Sequence, residues 1–164
     1  METVDRLSRS IRPFEAADEA AVAEIWHRAG RATYTYLPTW QAFTLEQARN
    51  VFREFIVPKS EIWVGTEDGD PVAYLALQDS AIDRLYVDPD AQGQGLGQAL
   101  LEHAKALRPD GLELFTHQEN VGARRFYEKH GFAVVRLGVS PPPESAPDVL
   151  YRWQPEPLHK TTLS

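Results

Sequence analysis

Apolar and polar positions recur along this chain in two periods, and the periods mark its elements. Residues 7–12 predict a first strand. Asp18 stands where a helix N-cap belongs, and Val22, Ile25, Trp26 and Ala29 follow at helical spacing as far as Gly30, a stop signal. Residues 31–43 show no period and carry Tyr34, Tyr36, Pro38 and Trp40. Thr44 and Gln47 have the spacing of a capping box. The helix they open puts Leu45, Ala48, Val51, Phe52 and Phe55 on one stripe and should stop at Pro58.

Residues 61–66 and 72–78 predict two strands joined by Asp68-Gly69, a hairpin-turn pair. Asp79-Ser80 leads into a third, residues 81–87, so three neighbouring antiparallel strands are expected. A helix over 94–107 should bury Leu96, Leu100, Ala104 and Leu107. Pro109-Asp110-Gly111 breaks the pattern before a strand at 112–116, and a helix at 121–129 ends near Gly131. Two closing strands, 132–137 and 148–153, flank Pro141-Pro142-Pro143. The order β-α-α-β-β-β-α-β-α-β-β predicts one mixed α/β domain over residues 1–153, with about seven strands in a central sheet and about four helices. Residues 154–164 have little to bury and are expected to form a flexible tail.

The 164 residues suit one domain and a single core. The absence of cysteine excludes disulfides, thiolate metal sites and a cysteine nucleophile. The five histidines show no metal-ligand spacing, so no metal is expected. No apolar run approaches a membrane span and the first residues lack a signal-peptide layout, so a cytoplasmic, membrane-free protein is expected. With 24 acidic against 17 basic residues the net charge is −7. That balance argues against a nucleic-acid partner and suits a cationic substrate such as an amine.

The most chemically pointed stretch follows the strand at 81–87: Gln92-Gly93-Gln94-Gly95-Leu96-Gly97-Gln98. A strand turning through glycines into a helix presents free backbone N–H groups and the positive end of the helix dipole, a site for a diphosphate. No lysine follows, so it is not a P-loop. Gln98 and Leu100 occupy the third-glycine positions of the two available dinucleotide registers, so that fingerprint fails too.

What fits is Gln92-x-x-Gly95-x-Gly97, preceded by Leu85-Tyr86-Val87-Asp88-Pro89. This resembles the acetyl-CoA pyrophosphate loop of the GNAT superfamily of N-acetyltransferases. Further on, Asn120-x-x-Ala123-x-x-Phe126-Tyr127-x-x-x-Gly131-Phe132 is similar to that family's later helix. The two motifs stand in the family's order and separation, and the resemblance spans residues 10–153. It implies a fold whose fourth and fifth strands splay, with the pantetheine arm between them, and acetyl-CoA as acyl donor. It also implies a small-molecule or peptide amine as acceptor and a homodimer as one form of assembly.

Acetyl transfer then distributes roles. Residues Gln92, Gly93, Gln94, Gly95, Leu96, Gly97 and Gln98 would hold the diphosphate, with Arg124, Arg125 or Lys129 as helpers. Leu85, Tyr86 and Val87 would bond the thioester carbonyl and pantetheine through their backbone, and Asn120 would bind that arm or cap its helix. By resemblance Tyr127 is the general acid; a phenol with pKa near 10 stays protonated at neutral pH and can donate to a thiolate. The family's strand-four glutamate falls on Ala81 here. Asp83 is therefore the candidate to bind or deprotonate the amine, on the face shared with Ala81 and Leu85. Asp79, Glu61, His117 and His27 are weaker candidates. Tyr34 and Trp40 are expected in the acceptor pocket, and Trp26 in the core. The missing glutamate leaves a second reading open, a non-catalytic acyl-CoA sensor. A toxin acetylating aminoacyl-tRNA is disfavoured by the acidic charge.

Overall fold

The computed structural model describes residues 8–142 and 144–155. Leu7 of the expected first strand, Pro143 and most of the expected tail lie outside the described residues. Seven strands form one sheet: β1 (Arg9–Pro13), β2 (Glu61–Glu67), β3 (Asp70–Gln78), β4 (Ala81–Val87), β5 (Leu112–His117), β6 (Ala133–Val139) and β7 (Pro147–Trp153). Their spatial order is β1-β2-β3-β4-β5-β7-β6, and every neighbouring pair is antiparallel except β4 and β5. Five α-helices accompany them: α1 (Glu19–Thr33), α2 (Pro38–Ala42), α3 (Leu45–Val51), α4 (Leu96–Leu107) and α5 (Val121–Lys129).

Strand β3 explains the layering. Its residues 73–77 are all apolar and all buried, because successive side chains enter different cores. Ala73, Leu75 and Leu77 join Leu100, Leu101 and Ala104 of α4. Tyr74 and Ala76 join Val22, Ile25 and Trp26 of α1 and Ala48 and Phe52 beyond. A sheet covered on both faces reads as a continuous apolar run. The β2–β3 turn uses Asp68 at φ 52° and Gly69 at φ 88°, the left-handed pair a tight hairpin needs.

Helix boundaries in the first half of the chain differ from expectation, each for a visible reason. Helix α1 runs through Gly30 to Thr33. Gly30 is needed for space: a Cβ there would lie 2.2 Å from Cζ3 of Trp40. Asp18 does not cap α1; its carboxylate receives both Nη atoms of Arg12, at 2.7 and 2.8 Å, and the Glu15 N–H at 2.8 Å. The capping box of α3 forms, with reciprocal bonds of 3.1 and 2.9 Å between Gln47 and Thr44. The helical path then continues as a π segment (Phe52–Ile56) and a 3₁₀ turn (Val57–Lys59) that contains Pro58. The wider turn rotates Phe55 outward, to 57 % exposure, and Ile56 inward, and Leu45 at the start of α3 is also exposed. Helix α2, short and opened by Pro38, is absent from the sequence periodicity.

Candidate active site

Strands β4 and β5 touch at a single residue pair, Ala81 with Glu113, and one flanking bond from Glu113 N–H to the Ser80 carbonyl at 3.0 Å. Beyond it they part. Between β3 and β5, therefore, β4 keeps one bonded edge, through Leu85, Tyr86 and Val87 to β3, and one free edge. A cavity of about 600 Å³ opens there. It is lined by β4, the glycine loop, the start of α4, β5 and α5.

The loop leaves β4 through Asp88. Arg28 of α1 pins this exit, reaching Asp88 at 2.8 Å and Asp90 at 2.9 Å. Gln92 Nε2 donates back to the Val87 carbonyl at 3.2 Å. Gly93 at φ 77° and Gly95 at φ 87° turn the chain through the left-handed region, and a Cβ on either would meet nothing within 4 Å. Helix α4 starts at Leu96, two residues later than expected, because Gly95 is its N-cap. The first carbonyl to accept at this end is Gly95, from Ala99 N–H at 3.0 Å. The amides of residues 92–98 thus have no backbone acceptor among the described residues. Two open glycines, a row of free amides and a helix terminus fit a diphosphate.

Of the residues expected at the donor site, Leu85, Tyr86, Val87, Gln92, Gly93, Gly95, Leu96, Gly97, Gln98 and Asn120 line the cavity together. Gln94 does not; its side chain and carbonyl are taken by Arg9 of β1. Asn120 caps α5, accepting from Ala123 N–H at 3.1 Å, and also borders the cavity. Among the basic helpers, Arg124 is turned away to the Tyr151 hydroxyl at 3.0 Å and Arg125 does not line the cavity, whereas Lys129 reaches its wall, beside His130.

Tyr127 lines the cavity from α5 and is 8 % exposed. Phe126, Phe132 and Tyr151 hold its ring, at centroid distances of 5.2, 5.4 and 6.4 Å. Burial pushes its phenol above the usual value, and the neighbouring Tyr86 adds to this. The group therefore remains a proton donor throughout the neutral range.

The acceptor side is partly as expected. Tyr34 and Asp83 line the cavity. Trp40 does not: it is 7 % exposed and lies in the core, stacked on Tyr34 at 5.6 Å and edge-on to Trp26 at 5.6 Å. Packing against Gly30 fixes it there, so it backs Tyr34 and does not border the cavity. Trp26 is in the core, as its helical stripe required. Asp83 does not share the face of Leu85 by simple alternation. The register slips between β3 and β4, pairing Ala76 with Arg84 but Leu77 with Ile82, which makes Asp83 the extra residue of a bulge. Its carboxylate lies 3.2 Å from Nε of Arg84. His27 donates from Nε2 to the Phe43 carbonyl at 2.7 Å, a structural bond. Glu61 accepts from Trp63 at 2.8 Å and Arg108 at 3.3 Å. His117 pairs with Glu144 at 3.2 Å behind Tyr34. Among the five carboxylates and histidines considered as bases, Asp83 alone lines the cavity. Among the described residues, no three metal-ligating side chains cluster and no helix is long and apolar enough to cross a membrane.

Two contributors escaped the sequence reading, Arg28 and Arg84. Arg28 gave no signal, since its partners lie 60 and 62 residues away. Arg84 did give one: the charged pair Asp83-Arg84 interrupts an apolar strand, which is where a bulge or a site belongs.

Comparison with known proteins agrees with this architecture. The family description "Acetyltransferase (GNAT) domain" matches residues 58–134. The peptidyl-lysine N-acetyltransferase YjaB of Salmonella typhimurium is 38 % identical over 111 residues, 67 % of this chain and 73 % of the relative. The solution structure of apo YjaB from Escherichia coli superposes with a TM-score of 0.75 at 28 % identity, covering 89 % of this chain and 97 % of that one. The PaiA N-acetyltransferase of Thermoplasma acidophilum, solved with coenzyme A, shares the fold at a TM-score of 0.70 and 18 % identity, over 90 % of this chain and 99 % of that one. The split strands, the open glycine turn and these likenesses together place the chain in the GNAT family of acetyl-CoA-dependent N-acetyltransferases.

Proposed function

We propose that residues 1–153 form one catalytic domain that acetylates a primary amine of a small molecule, peptide or protein by direct attack within a ternary complex. The observation that carries this reading is the cavity beside β4. It brings the glycine loop, the free edge of β4 and Tyr127 within one volume. When bound, acetyl-CoA supplies an activated acetyl group and a thiol leaving group. The amides of residues 92–98 hold the diphosphate. The free edge of β4 at Leu85, Tyr86 and Val87 supplies backbone partners for the arm and a donor for the thioester oxygen; such a donor contributes about 3 kcal/mol. Asn120 borders the arm from α5. Tyr127 gives its proton to the departing sulfur. Tyr34 and Asp83 receive the amine, and the YjaB relatives support a peptide amine as one acceptor.

A cytoplasmic location and no nucleic-acid partner, the latter from the net charge of −7, complete this reading. A homodimer belongs to the same proposal. Edge strand β6 exposes Val134, Val135, Leu137 and Val139, and an unprotected apolar edge favours pairing. Light scattering at micromolar concentration tests it; a monomer mass would remove the dimer.

Ala81, where many relatives carry a glutamate, favours a second reading, a non-catalytic acyl-CoA sensor. A thiol-release assay over an amine library separates the two. Release that depends on an amine supports the enzyme. Acetyl-CoA binding without release for any amine supports the sensor.

A further inference from the structure

Arg84 is a partly buried cation whose Nε has no hydrogen-bond partner. Its side chain is 21 % exposed and borders the cavity beside Asp83. Asp83 Oδ2 is 3.2 Å from Nε, yet Nε is buried without a hydrogen bond, because the two groups are misaligned. Among the described residues no side chain accepts a well-aligned hydrogen bond from the guanidinium, although the Tyr74 hydroxyl lies close to it. The group rests on the face of Trp26, 4.3 Å from the ring. Trp26 Nε1 and the Tyr74 hydroxyl, on the same side of β4, are likewise buried without partners. Of these three unsatisfied groups only Arg84, which can only donate, borders the cavity where a ligand can reach it. Buried groups of this kind lose stability unless an acceptor reaches them. An arginine fork fits the two oxygens of a carboxylate. The bulge at Asp83 sets a carboxylate directly beside that fork, so a ligand here meets one negative and one positive group at adjacent positions. A dianion would be repelled by Asp83; a zwitterion matches both.

We propose that Arg84, with Asp83 beside it, forms a subsite for an acceptor whose ammonium neighbours a free carboxylate, an amino acid or an amine of that kind. The carboxylate completes the Arg84 fork, and the amine lies at Asp83. The proposal rests on the acetyl-transfer reading above and narrows its substrate class.

The test compares the free L-amino acids with their α-carboxamides, one to one, in the full chain. Amidation removes the anion and lowers the amine's proton affinity, so intrinsic reactivity favours the amides. Two readouts are used: amine-dependent thiol release from acetyl-CoA, and the ¹⁵N resonance of Arg84 Nε–H, assigned by its loss in Arg84→Met. The subsite predicts at least about tenfold higher kcat/KM for the best free acid than for its amide, carried by KM. It also predicts a shift of the Arg84 resonance with that acid alone. In Arg84→Met the ratio falls to about one, and Arg84→Lys serves if the methionine variant does not fold. Equal or better use of amides by the unaltered protein overturns the subsite and leaves acetyl transfer standing. A selective resonance shift without thiol release keeps the subsite and sinks acetyl transfer. Neither response overturns both.

Discussion

Replacing Tyr127 by Phe removes one oxygen and little else. The ring keeps its contacts with Phe126, Phe132 and Tyr151. No hydrogen bond of the hydroxyl is lost among the described residues, so unfolding free energy should change by less than about 1 kcal/mol. The chemical loss is larger. Burial holds the phenol above its usual value of about 10, so at pH 7 at least about 99.9 % of it carries the proton. Without it a thiolate must leave unassisted. General acids contribute about 10²–10⁴ in rate, which corresponds to about 2.7–5.4 kcal/mol of barrier. Thiol release with a saturating acceptor should therefore fall about 100-fold or more in kcat, while calorimetric affinity for acetyl-CoA stays within about threefold. Because the folded pKa is raised, the proton is lost only as pH climbs through that higher value, so the Tyr127-dependent part of the rate should persist to at least about pH 10. Turnover by the phenylalanine variant within about threefold of the unaltered protein at every pH would refute the assignment.

Gly30→Ala should destabilise the fold although alanine favours a helix. The added carbon overlaps Trp40 at 2.2 Å, and overpacking of about 2–3 kcal/mol outweighs a propensity gain of about 1, for a Tm lowered by about 2–8 °C in calorimetry. In Gly95→Ala the left-handed φ of 87° costs about 1–2 kcal/mol of stability, with no clash in the free protein. A loss of acetyl-CoA affinity of about tenfold or more in the same variant would measure how closely the diphosphate approaches; an unaltered affinity would remove Gly95 from the site. Asp18→Asn should cost about 1–3 kcal/mol at pH 7, since at this buried position an amide nitrogen, which cannot accept, replaces one of the two oxygens bonded by Arg12. Its carboxyl is held low chiefly by the Arg12 hydrogen bonds, so this contribution is present above about pH 4 and disappears as pH falls through the depressed value. Denaturant titrations at pH 7 and pH 2.5 check this, and a gap that widens toward acid would contradict it.

Local signals in the sequence carried much of this fold. The Asp68-Gly69 turn, the Thr44–Gln47 box and the apolar run of β3 each act over a few residues, so each is readable in one dimension. The glycine loop was legible for the same reason. What failed depended on distant partners. Gly30 reads as a helix stop, and only Trp40 packed against it shows that it is a space-saver. Trp40 reads as a pocket residue because nothing local says that Trp26, Tyr34 and Phe43 surround it. Gln94 has the composition of a phosphate donor, and its engagement by Arg9 comes from a strand 85 residues away. The place of Asp83 depended on strict alternation, which the bulge in β4 breaks.

The central claim is that the amides of residues 92–98 grip coenzyme A. Calorimetric titration of the full chain with acetyl-CoA, repeated on Gly95→Ala, tests it most directly. Saturable heat with a Kd well below 1 mM is expected, weakened about tenfold or more by the substitution. No heat at millimolar acetyl-CoA, or equal binding by both proteins, would contradict it.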